Sequence, residues 1–172
     1  MDKTLKITSI KTIIQRGTFG SGKYYGYNNF KVIGLVRIKT NKKIDGVGES
    51  LVGVYSPNLL KINLNFVSNL IINKNIKQTF DILNNLQKNK FFFDSGILKS
   101  IIASIEMALF DIMAQSEKQS LRKLFSVHFK EKNFKNNIPV YASAGSILGS
   151  LKDLKKEISI SKKKGFDLFK AR

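Results

Sequence analysis

The stretch of this chain best placed to do chemistry is its last, Gly165-Phe166-Asp167-Leu168-Phe169-Lys170-Ala171-Arg172. The glycine reads as a turn and the residues after it as a short strand. Side chains on a strand alternate faces, so Phe166, Leu168, Lys170 and Arg172 share one face, and Asp167, Phe169 and Ala171 the other. If Phe166 and Leu168 enter a core, Lys170 and Arg172 stand at its rim on the same side. Desolvation and a neighbouring cation both disfavour an ammonium charge, and a lysine so placed can take and return protons near neutral pH. Taken alone, the octapeptide is better read as an exposed strand end in a lysine-rich protein; the rest of the chain changes that reading.

Other candidates are weaker. Gly17-Thr18-Phe19-Gly20-Ser21-Gly22-Lys23 comes after a strand and nearly matches a phosphate-binding loop. Tyr24 occupies the position that needs Ser or Thr for the metal ion. Tyr25-Gly26-Tyr27-Asn28-Asn29 is no helix start, so no helix terminus would face a phosphate. A dinucleotide glycine fingerprint fails as well, with Tyr25 at its third glycine. Tyr24, Tyr25 and Tyr27 suggest a lid over something, and an ordinary hairpin loop fits equally well. His128, the only histidine, lies in a linker without a nearby cluster of Asp, Cys or Glu at ligand spacing. Glu106 and Asp111 sit within an apolar helix. Buried carboxylates need partners, and anchoring the helix to neighbouring backbone is a better reading for them than catalysis. Glu49, in Gly46-Val47-Gly48-Glu49, reads as structural.

Length and composition bound the rest. A chain of 172 residues is by default one domain with room for a core. Without cysteine there are no disulfides and no thiolate metal sites. No apolar run of about 18 residues predicts a membrane span. MDKTLKITSIKTII lacks a signal-peptide core, so a cytoplasmic location is expected. The net charge of +18 raises the possibility of nucleic-acid binding. The excess is almost all lysine, however, with only Arg16, Arg37, Arg122 and Arg172 as arginines. Isoleucine and asparagine rise alongside lysine, as an A/T-rich coding sequence would cause. Arginine reads phosphate and guanine better and is not enriched, so a solvated basic surface is the expectation.

The elements that must position Lys170 are read from periodicity. Residues 3–15 alternate as a strand, with Leu5, Ile7 and Ile13 apolar. Residues 17–29 form a glycine- and tyrosine-rich loop, 30–40 a second strand, Asn41-Lys42-Lys43 a turn, and Ile44 to Val54 a third strand. The period then changes. Ser56-Pro57 starts a helix that runs to about residue 70. Ile76 to Leu86 is a second helix, and Asp94-Ser95-Gly96 a break. Ile97 to Gln115 is apolar around most of its circumference and should be the central buried helix. After a short helical turn and a polar linker over 121–136, Ile138 to Gly145 is a strand. Ser150 to Lys164 is an amphipathic helix, Gly165 ends it, and 166–172 is the terminal strand. A strand–helix–strand unit implies a parallel pair. One covering helix cannot bury such a pair, so the chain is expected to be cut short.

Together these pieces resemble the mandelate racemase/muconate lactonizing enzyme family of the enolase superfamily. Leu5-Lys6-Ile7-Thr8-Ser9-Ile10 resembles its first strand, and 17–29 is similar in place and character to its mobile specificity loop. Gly46-Val47-Gly48-Glu49 with Tyr55 and Pro57 after it resembles its G-x-G-E segment. Ile105-Glu106-Met107-Ala108-Leu109-Phe110-Asp111-Ile112 resembles its I-E-x-A-L-W-D-I helix, with Phe110 for the usual tryptophan. Pro139-Val140-Tyr141-Ala142-Ser143 resembles the first barrel strand. Gly165 to Arg172 resembles the second, which ends in a catalytic K-x-K.

The resemblance implies an α+β capping domain over 1–125, a three-stranded antiparallel meander plus helices. A linker at 126–137 comes next, then at 138–172 the first βαβ unit of a truncated (β/α) TIM-type barrel. It implies removal of the proton α to a carboxylate, with Mg²⁺ stabilising the enolate. The parent would be an acid-sugar dehydratase or a racemase/epimerase, acting as a homo-oligomer on a small carboxylate, without specific nucleic acid or membrane. Lys170 and Arg172 would be catalytic, and Phe19, Lys23, Tyr24, Tyr25, Tyr55 and Ser143 would bind substrate. The metal ligands would lie on absent strands, leaving this chain inactive alone. Two departures stand out. Lys170-Ala171-Arg172 replaces K-x-K, and an arginine does not readily deprotonate. Arg172 would then stabilise the enolate or orient substrate while the proton moves through a residue on an absent strand; Lys170 as the base is the less supported alternative. Ser126-Val127-His128-Phe129 stands where the family has a glycine-ended turn. The rival readings are a basic nucleic-acid-binding module and a stand-alone capping domain without catalysis.

Overall fold

The computed structural model describes residues 3–18, 30–89, 95–130, 137–143 and 150–171. They fall into two compact units, one from the described residues of Met1–Gly17 and Lys31–Lys132, the other from Thr18, Phe30 and the described residues of Asn133–Arg172.

The first unit opens with strands β1 (Ile7–Thr18), β2 (Phe30–Thr40) and β3 (Asp45–Ser50), in the spatial order β1-β2-β3. β2 and β3 pair antiparallel, from Gly34 opposite Ser50 to Lys39 opposite Asp45. Their hairpin closes where Thr40 N donates to Ile44 O at 3.1 Å and Lys43 takes the left-handed φ of 59°. Asn41 of this turn fastens the start of β1: its Nδ2 donates to Thr4 O and its Oδ1 accepts from Lys6 N, both at 2.9 Å. Leu5 and Ile7 are buried, and further along it is Ile10 and Ile14 that pack against the core. The inward phase of β1 therefore slips by one residue, and simple alternation through Ile13 does not hold. Gly17 and Thr18 continue β1, where the sequence predicts a loop; 19–29 lie outside the described residues.

The third strand stops at Ser50, short of the expected Val54, and Leu51–Tyr55 is a helix, α1. The physical reason lies at Gly53. It meets Gly34 of β2 backbone to backbone, so closely that a Cβ on either would overlap the other's Cα. The chain turns there to lay α1 against the sheet. Helix α2 (Pro57–Ile71) buries Leu60, Leu64, Val67 and Ile71 and carries its proline in the first turn. Helix α3 (Ile76–Lys88) starts at a capping box, in which Asn75 Oδ1 accepts from Gln78 N at 2.9 Å and Gln78 Oε1 accepts from Asn75 N at 3.0 Å.

Helix α4 (Gly96–Ser116) is the buried axis that its apolar circumference predicts; Ile101, Ile102, Ile105, Ala108, Leu109 and Ile112 are all at most 2 % exposed. It lies along the inner face of β3, which offers only Gly46, Gly48 and Ser50. A Cβ on Gly46 would overlap Ala108 O, one on Gly48 would overlap Ser104 O, and Ser50 Oγ sits 3.1 Å from Ser100 Oγ. Helix α5 (Leu121–His128) comes next, so His128 ends a helix instead of lying in a linker, its ring edge-on to Phe129 at 5.0 Å. Phe110 bridges α3, α4 and α5, with ring centroids 5.2 Å from Phe80 and 5.1 Å from Phe125.

The second unit holds β4 (Tyr141–Ser143), helix α6 (Leu151–Lys163) and β5 (Leu168–Lys170), with β4 and β5 paired in parallel. β4 is shorter than the expected 138–145: residues 137–140 are not strand, Ile138 is exposed, and Ala144 and Gly145 lie outside the described residues. Helix α6 is closed at both ends by local chemistry. Ser150 Oγ accepts from Asp153 N at 3.2 Å while Asp153 Oδ2 accepts from Ser150 N at 3.3 Å. At its C-terminus Gly165 takes φ 86°, its N–H donates to Lys162 O at 2.9 Å and Phe166 N donates to Ser161 O at 3.1 Å.

The glycine seam makes a sharp prediction. Gly48→Ala should destabilise the chain by about 3 kcal/mol, since backbone must move to admit the methyl group. Gly96→Ala, where nothing lies within 4 Å of the added Cβ, should be neutral or raise stability by less than about 1 kcal/mol. Urea melts of the two variants check this, and equal midpoints would refute the seam.

Candidate functional site

The parallel register sets Tyr141 beside Leu168, Ala142 beside Phe169 and Ser143 beside Lys170. Paired residues of parallel strands turn their side chains to the same face, so Tyr141, Ser143, Leu168 and Lys170 share one. Lys170 Nζ stands 6.0 Å from the centroid of the Tyr141 ring, the outer reach of a cation–π contact. An ammonium, a hydroxyl and an aromatic ring thus meet at the C-terminal end of the pair. Such a group can hold an anionic oxygen by charge and by a donated hydrogen bond. Sequence reasoning places Lys170 and Ser143 on their strands but misses Tyr141 as their neighbour. The signal lies in the alternation of Tyr141 and Ser143 once a parallel pair is accepted.

One expectation fails here. Leu168 is 54 % exposed and Phe169 is half-buried, so the Lys170 face is the open one within this unit. Helix α6 buries none of its residues and supplies no core behind Leu168, and Lys170 itself is exposed instead of standing at a desolvated rim. Of the remaining site residues, Phe19, Lys23, Tyr24, Tyr25 and Arg172 lie outside the described residues. Tyr55 ends α1 in the first unit and is 81 % exposed.

The carboxylates divide by role. Asp111 Oδ2 accepts from Val47 N at 3.1 Å, and its Oδ1 accepts from Gln115 Nε2 at 2.9 Å. Gln115 Nε2 also donates to Asp45 O at 2.8 Å. Asp111 and Gln115, one turn apart on α4, therefore close the outer edge of β3, the backbone anchoring expected of Asp111. Glu106 instead accepts from a side chain, Gln87 Nε2, at 3.2 Å. Glu49 is exposed on the outer face of β3. Asp153 is spent on the α6 cap, where the Ser150 hydroxyl and then the Ser150 N–H hold its carboxyl below the usual range. Among the described residues no three His, Asp or Glu side chains converge to hold a metal ion.

Burial pushes the Glu106 carboxyl above the ordinary glutamate value, and the Gln87 hydrogen bond offsets this only in part. A folded pKa above the unfolded one means that the folded state holds the proton more tightly. That contribution is complete below the ordinary glutamate range and is lost as pH rises through the raised value. Glu106→Gln should therefore melt higher than the wild type at neutral pH, by on the order of 2 °C. The gap should close on acidification below the glutamate range. Scanning calorimetry across pH checks it, and a gap independent of pH would refute it.

The comparisons with known proteins agree with this architecture. The family model described as mandelate racemase / muconate lactonizing enzyme, N-terminal domain, matches residues 28–126. No curated protein matches the sequence. Among solved structures, L-talarate/galactarate dehydratase from Salmonella typhimurium LT2 superposes with TM-score 0.80 at 16 % identity, over 98 % of this chain and 44 % of its own. The 3,6-anhydro-D-galactonate cycloisomerase from Zobellia galactanivorans gives 0.74 at 20 %, over 96 % and 42 %. A member of the enolase superfamily from Polaromonas sp. JS666 gives 0.75 at 23 %, over 97 % and 44 %. The chain thus spans less than half the length of these structures, and at such identities they speak for the fold alone. The family match covers more than half of the chain, on the strands, glycines and α4 carboxylate described above: the chain belongs to the mandelate racemase/muconate lactonizing enzyme family.

Proposed function

We propose that this chain is the N-terminal part of an Mg²⁺-dependent enolase-superfamily enzyme. It would abstract the proton α to a carboxylate, as an acid-sugar dehydratase or a racemase/epimerase. The observation that carries the reading is Lys170 at the C-terminal end of β5, beside Ser143 and over Tyr141, in a chain of this family. The C-terminal ends of parallel barrel strands are where active sites of such folds assemble. Support for the substrate class comes from relatives of similar fold that act on acid sugars, one of them solved with Mg and L-lyxarohydroxamate.

In this reading residues 1–125 cap the site and 138–172 begin the barrel. Arg172 keeps its charge at any working pH and opposes the negative charge that grows on the carboxylate as the α-proton leaves. Lys170 adds a second cation there, and Ser143 donates a hydrogen bond to a substrate oxygen. Tyr55, with Phe19, Lys23, Tyr24 and Tyr25, contacts the hydroxylated tail and sets preference. Mg²⁺ demands hard oxygen ligands in near-octahedral array. The described carboxylates do not fit that demand, so its ligands are assigned to further strands and the chain alone is taken to be inactive. A homo-oligomer in the cytoplasm is part of the same reading.

The test is proton exchange. The complete gene product, incubated in D₂O with a panel of acid sugars and α-hydroxy acids, should wash deuterium into the α position only when Mg²⁺ is present. Lys170→Ala should lower that rate by about 100-fold or more. Lys170→Arg, which keeps the charge, separates the roles: retained exchange puts the base on another strand, and lost exchange makes Lys170 the base. No Mg²⁺-dependent exchange with any compound would sink the proposal. For the 172-residue chain alone, titration calorimetry should show no saturable Mg²⁺ binding tighter than about 1 mM. Such binding, abolished by Asp153→Asn or Asp167→Asn, would overturn the assignment of the ligands to other strands.

A further inference from the structure

We propose that the groove between the open edge of β1 and helix α2 is a docking site for an extended, acidic segment of another polypeptide. The two edges of the sheet are treated differently. Asp111 and Gln115 close the edge of β3. The edge of β1 is closed only at its start, where Ile7 N donates to Lys74 O at 3.0 Å and Asn73 N donates to Ile7 O at 2.9 Å. Beyond Ile7 no backbone hydrogen bond runs from that edge to another described residue. A strand edge with free N–H and C=O groups is a template for an added strand.

The groove begins where the pairing stops. Its volume is about 740 Å³, and Ile10, Lys11 and Thr12 form one wall with α2 as the other. Three successive residues of a strand reach it, so its wall is the strand's edge and not a single face. Ile10, Ile62 and Leu64 make the apolar part of the lining. Along α2, Phe66 at 55 % and Leu70 at 37 % exposure extend the apolar strip that Ile62, 67 % exposed, begins. Lys61 is the single charged residue on the 15-residue helix, in a chain where 24 % of residues are charged. An apolar, charge-depleted centre is the composition of a protein interface core.

Chemistry selects the occupant. Among the described residues the charges that line the groove, Lys11 and Lys61, are both cationic, and no acidic side chain lines it. A second copy would bring another +18 against like charge. Among the described lining residues a nucleic acid would meet no arginine to fork a phosphate. An extended peptide meets all three features. Its backbone pairs with the β1 edge, its alternate apolar side chains reach Ile10, Ile62 and Leu64, and its carboxylates face Lys11 and Lys61.

The test uses the 172-residue chain and a fluorescent peptide of alternating Glu and Val, monitored by anisotropy at about 0.15 M salt. Saturable binding tighter than about 1 mM is expected, with none for a Lys-Val peptide of the same length. N-methylation of alternate peptide nitrogens should weaken binding at least about tenfold, because it removes the edge hydrogen bonds. Ile62→Asp and Lys61→Glu should each do the same, with melting curves showing that both variants fold. Lys155→Glu, an equal change of charge on α6, should leave binding unchanged. Three results would each overturn the proposal: no saturable binding, equal affinity for the N-methylated peptide, or an equal loss in Lys155→Glu. Dimerisation of the chain abolished by Ile62→Asp would overturn it in favour of a second copy.

Discussion

The first unit depends on how closely one helix can approach one strand. β3 turns Gly46, Gly48 and Ser50 inward, and α4 answers with Ser100, Ser104 and Ala108. Removing side chains from both surfaces lets backbone meet backbone, and that distance then fixes everything α4 carries. Asp111 reaches the N–H of Val47, and Gln115 reaches the carbonyl of Asp45, only because the helix lies so near. The edge of β3 is sealed by the same contact that buries the helix. Glycine in a strand ordinarily weakens it, since it adds backbone entropy and packs nothing. Here the cost is offset by burial of the apolar helix residues that flank the seam, Ile101, Ile105 and Ile112 among them.

From this seam the rest of the unit is placed. Leu51 leads directly from Ser50 into α1, whose Gly53 makes a second close approach, to Gly34 on β2. The two glycine contacts set helices against adjacent strands at nearly the same level, because Gly34 stands opposite Ser50 in the ladder. On the far side of α4, Phe110 fills the space between Phe80 and Phe125 and ties α3 and α5 to the axis. A smaller residue at Phe110 would open a void between these two rings; a larger one would have to displace them.

The strength of each sequence signal tracks its physical origin. Helices α2, α3, α4 and α6 are legible because their apolar spacing, capping residues and closing glycine are local. The end of β3 is not, because Leu51-Val52-Gly53-Val54 is as apolar and β-branched as a strand, and only the nonlocal meeting of Gly53 with Gly34 turns it into helix. The phase slip in β1 is hidden for a similar reason: Ile7, Ile10, Ile13 and Ile14 satisfy either phase until the sheet selects one. At the candidate site the sequence identifies Lys170 and Ser143 and misses Tyr141, because register between two three-residue strands is set by the pairing and by nothing within either strand. Alternation also leaves open which of Leu168 and Phe169 is covered, since it gives two faces without saying which one is buried.

Family membership therefore rests on residues other than those of the candidate site. The match spans 28–126, and the features that give those residues their shape are glycines, small side chains and an edge-sealing carboxylate, all spent on packing α4 against β3. Lys170 lies outside that span, on a three-residue strand whose exposed face owes nothing to the seam. A substitution at Gly48 would weaken the fold that identifies the chain, whatever became of its chemistry. A substitution at Lys170 would leave the contacts of Gly46 and Gly48 with α4 as they are. At Arg172 the sequence carries an arginine where the K-x-K it resembles has its second lysine. That exchange puts a group that does not readily release a proton where the resembled motif has one that can.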